Sequence, residues 1–143
     1  MSSLSDNGVI MKRFIFILTL LWTFPTTLVG LSLGCIGTLF GARWQIRCST
    51  LECYGGGLGR VLLRWPWPRS GINAITFGDV ILGQSAAALE GCRAHEQIHV
   101  RQAHRWGPLF LPAYLLASAW AKIRGRDPYR DNPFEVQAYR EAT

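Results

Sequence analysis

The sequence predicts an α+β fold in which an N-terminal transmembrane helix precedes a small β-sheet and a helical core. Three observations predict it. No charged residue occurs from Phe14 to Ala42. Short β-prone runs punctuated by glycine and proline follow as far as Gly83. From Ser85 onward the pattern is helical and encloses His95-Glu96-Gln97-Ile98-His99. A chain of 143 residues has room for one compact domain and an anchor. The expected organisation is therefore a polar tail over 1–13, an anchor over 14–42 and one domain over 43–143.

The anchor rests on length and composition. The uncharged run exceeds the roughly 20 apolar residues that cross a bilayer as helix. Charged residues make up 17% of the chain, against about 25% in soluble domains. A cleaved signal peptide is the rival, since Lys12-Arg13 precedes the apolar stretch and Pro25 can open a cleavage region, but no A-x-A-like site follows. Ser32-Leu33-Gly34-Cys35 is a poor lipoprotein signal. Gly30, Gly34, Gly37 and Gly41 give small-xxx-small spacings that let a helix partner approach closely in lipid, or mark a loosely helical exit. Arg43, Arg47 and Arg60 follow the run against two basic residues before it, a slight bias toward a cytoplasmic domain in a single-pass protein.

Between Arg43 and Gly83, Gly55-Gly56-Gly57 and Trp65-Pro66-Trp67-Pro68 separate β-prone runs at 61–65 and 75–82. Gly78-Asp79 permits a tight hairpin or one bulged strand there. Ser85 is a fitting N-cap for the next helix, and Gly107-Pro108 a stop. The apolar stretch from Trp106 to Ala121 is short for a span, so it forms a core helix or lies in the membrane interface. Gly125 ends it, and Asn132-Pro133 opens a last helix with Glu135 in its first turn.

Charge and cysteine usage narrow the function. Thirteen of fifteen basic residues lie after Ala42; they suit a solvated surface or anionic lipid head groups. No basic run or nucleic-acid motif accompanies them, so a nucleic-acid partner is not expected. Cys35, Cys48, Cys53 and Cys92 do not have zinc-ribbon spacing. Cys48 and Cys53 fit either a disulfide or two free buried thiols.

The chemistry centres on one helix. His95 and His99 are four residues apart, about 40° around a helix, so both imidazoles can grip one ion. Glu96 is turned about 100° away, where its carboxylate can take a proton from a water on the metal. With three histidines and five glutamates in the chain, chance gives about 0.002 such motifs. The helical projection places Ala88, Cys92, Ala103 and Trp106 near the histidines. Glu90, Arg93, Gln97, Arg101 and His104 fall opposite, with His104 a solvated surface residue. Two hydrogen-bonded structural imidazoles are the non-metal alternative.

HEQIH resembles the zincin metallopeptidases. Gln102 and Arg105 stand where the metzincin pattern wants Gly and His, so the resemblance is to gluzincins, whose third ligand is a glutamate on a later helix. Asn132-Pro133-Phe134-Glu135-Val136-Gln137-Ala138 has that form. The resemblance covers about fifty residues, from Glu90 to Arg140. It implies a minimal zincin-like domain with Zn²⁺ held by His95, His99 and Glu135, and Glu96 as general base. Glu135 fits a capping box equally in position. Cys92 is a ligand or a small buried residue, Gln102 can orient a ligand, and Tyr139 either donates to an oxyanion or packs in the core. The implied function is a membrane-associated zinc peptidase with peptide or protein substrates. A membrane-anchored metal-binding module without turnover and a purely structural membrane protein are the alternatives.

Overall fold

The computed structural model describes residues 3–65 and 71–142 of the chain. Its elements are α1 (Ser3–Leu39), β1 (Arg43–Arg47), β2 (Thr50–Tyr54), α2 (Gly56–Leu63), β3 (Ala74–Phe77), β4 (Val80–Gly83), α3 (Ala86–Trp106), a 3₁₀ turn (Gly107–Leu109), α4 (Phe110–Ile123) and α5 (Pro133–Glu141). The predicted α+β class holds, with one four-stranded sheet in the order β1-β2-β4-β3.

Helix α1 is long and apolar enough from Gly8 to Leu39 to cross a membrane. It starts earlier than expected, at Ser3, and runs through Pro25. Its second half is also a layer of the domain. Thr23, Thr26, Gly30, Gly34 and Gly37 are buried at helical spacing. A Cβ at Gly30 would stand 2.8 Å from the Val80 Cβ and 2.9 Å from the Phe77 Cβ, and one at Gly34 would collide with the Trp44 ring. The close approach expected of a helix partner is thus made by the chain's own sheet. Gly41 lies beyond the helix, at φ +84°.

The strands alternate between two helical layers, as side chains of period two must. Cys53, Val80 and Leu82 form a cluster with Leu31 of α1, joined by Ile75 and Phe77. Ile81 turns the other way and packs with Leu89 and Val100 of α3. β4 is therefore covered on both sides, which explains its uninterrupted apolar run and burial at every position. β2 and β4 are parallel, whereas β1 with β2 and β3 with β4 are antiparallel.

One expectation changes, and one open alternative is resolved. The run at 61–65 is not a strand: α2 continues through Leu63, burying Leu62 and leaving Val61 and Leu63 exposed. Gly59 lets this helix lie against the Gln84 carbonyl, where a Cβ would clash. Of Trp65-Pro66-Trp67-Pro68, the last three residues lie outside the described ones. Gly78-Asp79 forms the tight hairpin rather than a bulge, with Phe77 paired to Val80. The β1–β2 hairpin was not anticipated. Its turn residues Cys48 and Ser49 have φ of 51° and 63°. The four cysteines are free; Cys53 is buried in β2, whereas Cys48 is exposed at the turn.

Candidate metal centre

Helix α3 carries the HEQIH motif between two well-made ends. Ser85 accepts from the Ala88 N–H at the start, and Gly107 closes the end. One turn apart, the His95 and His99 Nε2 atoms come within 3.0 Å of each other. Helix α5 brings Glu135 to the same point: Oε2 is 3.1 Å from His95 Nε2, and Oε1 is 3.3 Å from His99 Nε2. Bonds of 2.0–2.1 Å in a tetrahedral site require ligand atoms about 3.3 Å apart, so the three side chains stand close to the required separations. Among the described residues this is the group that can hold a metal ion. Glu135 Oε2 is buried without a hydrogen bond among the described residues, an acceptor that a cation would satisfy.

The capping alternative for Glu135 is excluded by the backbone. Asn132 caps α5 by accepting from the Phe134 N–H. Its own N–H, which a capping-box glutamate would bind, donates to the Tyr129 carbonyl. Glu135 instead turns inward and accepts from the Tyr114 hydroxyl at 2.6 Å. Asn132 Nδ2 donates to the Tyr114 carbonyl and to Ser118 Oγ, tying α5 to α4.

Gln102 fixes the state of His99. The Phe134 carbonyl can only accept, so the amide nitrogen of Gln102 faces it at 3.0 Å. The amide oxygen therefore accepts from His99 Nδ1–H at 2.8 Å, leaving the Nε2 lone pair free toward Glu135 and His95. His95 is positioned differently. Its Nδ1 has no hydrogen-bond partner among the described residues, and the Tyr139 ring lies against it at 4.5 Å. Tyr139 is 54% exposed, so it is not a core residue; its hydroxyl is 3.2 Å from that of Tyr129.

Glu96 leaves the histidine face and meets the sheet, where Thr76 Oγ1 of β3 donates to it at 2.6 Å. The electrostatics of the two carboxylates diverge. For Glu135, burial would raise the pKa, but the adjacent imidazoles of His95 and His99 and the hydrogen bond from Tyr114 outweigh it and hold the value at about 2. For Glu96, burial dominates over the opposing pull of His99 and Thr76, and the carboxyl is pushed up. His99 is raised: burial would lower it, and Glu135 and Glu96 outweigh burial. One carboxylate thus suits a permanent anion, the other a group that takes and returns a proton.

The rest of α3 corrects the helical projection. Arg93 is not on a solvated face, because its Nε bonds the fully buried Glu52 at 2.8 Å. Gln97 donates to Thr50 Oγ1 at 2.7 Å. His104 is no solvated surface residue either; its Nε2 lies 2.6 Å from Asp79 Oδ1. Thr23 and Thr27 of α1 donate to the other oxygen of Asp79. Trp106 is 43% exposed, and Cys92, whose thiol burial pushes up to about 12, does not join the metal-binding group. Tyr114 and Thr76 had no signal in the sequence, since neither stands in a motif.

No protein-family model matches the chain, and no curated protein or solved structure matches it significantly.

Proposed function

We propose that this chain is a membrane-anchored, zinc-dependent peptidase. The observation that carries the reading is the convergence of His95, His99 and Glu135 on one point, with the Glu96 carboxyl one position along the same helix and held by Thr76. Two imidazoles and a carboxylate are a donor set that zinc accepts well. When bound, zinc would polarise a peptide carbonyl and acidify a water. Glu96 takes the proton of the attacking water and returns it to the departing amine. Gln102 and Tyr114 hold His99 and Glu135 in place, and Tyr139, beside His95, donates to the developing oxyanion. β3 is an edge strand whose free backbone groups can align a substrate chain. α1 crosses the bilayer once, with Arg43, Arg47 and Arg60 favouring a cytoplasmic domain.

A second reading, a metal-binding module without turnover, is favoured by burial. Glu96 is only 5% exposed and its carboxyl already has a donor. Glu96→Gln separates the two. Metal content of the detergent-purified chain and cleavage of a fluorogenic peptide library are measured on wild type, Glu96→Gln and Glu135→Ala. The peptidase reading expects about one zinc per chain in wild type and Glu96→Gln, less in Glu135→Ala, and a loss of cleavage of at least 10²-fold in Glu96→Gln. Metal with no cleavage by wild type selects the module; absence of metal from wild type purified without chelator overturns both.

A further inference from the structure

We infer that α4 is a second membrane-contacting element, lying in the head-group region of an anionic bilayer and holding the metal centre at the lipid surface. Its two faces are both apolar but differ in what covers them. Phe110, Tyr114 and Ala121 turn inward, with Phe110 and Ala121 buried and Tyr114 bonded to Glu135. Leu116, Trp120 and Ile123 recur at four- and three-residue intervals on the opposite side, and Leu109, in the preceding 3₁₀ turn, stands two turns before Leu116. They are 71%, 59%, 78% and 57% exposed, and Leu115 beside them is 66% exposed. No acidic residue occurs from Trp106 to Arg126.

Two features identify lipid as the occupant. The first is continuity with the surface of α1. The turn that launches α4 packs on α1, where Gly107 abuts the Trp22 ring so closely that a Cβ would clash. Around that point α1 exposes Leu20, Leu21 and Phe24, the surface of a helix long and apolar enough to cross a membrane. The second is charge. Lys122 in the last turn of α4, Arg124 at its C-cap and Arg126 just beyond are exposed, and the Arg124 guanidinium sits 4.7 Å from the centre of the Trp120 ring. A tryptophan paired with cations at the edge of an apolar stripe matches the level where acyl chains meet head groups. Anionic lipid satisfies those cations, whereas a zwitterionic surface offers them no net negative charge.

The inward face sets the consequence. Tyr114 donates to a metal-binding carboxylate across one helix diameter, about 10 Å, from the leucine stripe. Resting on the peptidase reading, this restricts substrates to peptide segments held at head-group level, such as the flanks of membrane proteins. The lipid contact itself requires no activity.

The test uses the full chain in nanodiscs of phosphatidylcholine with about one-third phosphatidylglycerol. The photoreactive residue p-benzoylphenylalanine replaces Leu116, Ile123 or, as a control on the polar surface of α3, Arg101. Mass spectrometry after illumination is expected to show phospholipid adducts at 116 and 123 at least tenfold above those at 101. A severalfold fall at 123 in pure phosphatidylcholine is also expected. Covalent dimers in place of lipid adducts would show a second copy on this face, and unmodified chain at both positions would show water; either overturns the inference. A peptide tethered to the disc and the same peptide free in solution are then compared, with the tethered one expected to be cut at least tenfold faster. Cleavage of neither removes the peptidase reading and leaves the adducts as evidence of the contact.

Discussion

At the scale of single residues, the His95-His99-Glu135 group that could hold a metal ion is positioned by side chains outside it. Tyr114 supplies a hydrogen bond to Glu135 Oε1, and loss of such an orienting partner typically costs 10- to 100-fold in metal affinity. Tyr114→Phe is therefore expected to weaken zinc binding about tenfold without unfolding α4, measured by competition with a chromogenic chelator; unchanged affinity would remove Tyr114 from the site. The β1–β2 turn offers a different residue-scale result. Cys48 and Ser49 both occupy the left-handed region, which costs non-glycine residues roughly 1–2 kcal/mol each. Ser49→Gly is expected to raise stability by about 0.5–1 kcal/mol, read from the denaturation midpoint in detergent. That hairpin could not be seen in advance because Cys-Ser lacks the Asn-Gly vocabulary of two-residue turns. Glu135 could be placed but not assigned: a ligand and a cap stand at the same position of a first turn, and the bonds from the Asn132 N–H to Tyr129 and from Tyr114 to Glu135 exclude the cap.

At the scale of elements, α3 was legible as a helix and partly misplaced as a surface. Its ends, Ser85 and Gly107, and the face that carries His95 and His99 follow from local chemistry. Its other side does not. Arg93, Gln97 and His104 look solvent-seeking in sequence, but each meets a polar partner in the strands or their turns: Glu52, Thr50 and Asp79. Period-two alternation turns Glu52 and Thr76 toward α3 while Cys53 and Phe77 face α1, and no single-element pattern contains that pairing. The error at 61–65 has a related cause, since a run of five residues, four of them apolar, is too short to separate strand from helix. The Asp79 junction also makes a pH prediction. Burial would raise the Asp79 pKa, but hydrogen bonds from His104, Thr23 and Thr27 outweigh it and leave the carboxyl below its ordinary value. A depressed folded pKa contributes stability that is complete above the unfolded value, about 3.9, and is lost as pH falls through the folded one. Asp79→Asn is expected to lower stability at neutral pH, with the difference from wild type shrinking below about pH 4. A difference that stays constant down to pH 2 would show that the carboxylate charge is not what holds α1, the hairpin and α3 together.

At the scale of the whole molecule, the sequence divides at Ala42 into anchor and domain, whereas the structure joins them. An uncharged run long enough to span a bilayer gives no sign that its glycine and threonine stripe is the floor of a sheet. From Gly8 to Trp22 α1 is exposed apart from half-buried Thr19, and its burial begins at Thr23. Removing residues 1–18 therefore leaves Trp22, Thr23, Gly30 and Gly34 in place, together with the bonds to Asp79. Removing residues 1–40 uncovers Cys53, Val80 and Leu82, each at most 2% exposed in the intact chain. Exposing one such side chain costs about 1.5–3 kcal/mol for the larger two, and Asp79 loses two donors as well. The total is comparable with the 5–15 kcal/mol that holds a whole domain together. The shorter truncation is expected to retain a cooperative thermal transition and full zinc content in detergent. The longer one is expected to lose both, because the sheet that carries Thr76 and faces the HEQIH helix no longer has a second layer. A cooperative, zinc-binding fragment beginning at Gly41 would show instead that α3 and α5 suffice to support the sheet, and that α1 serves the membrane alone.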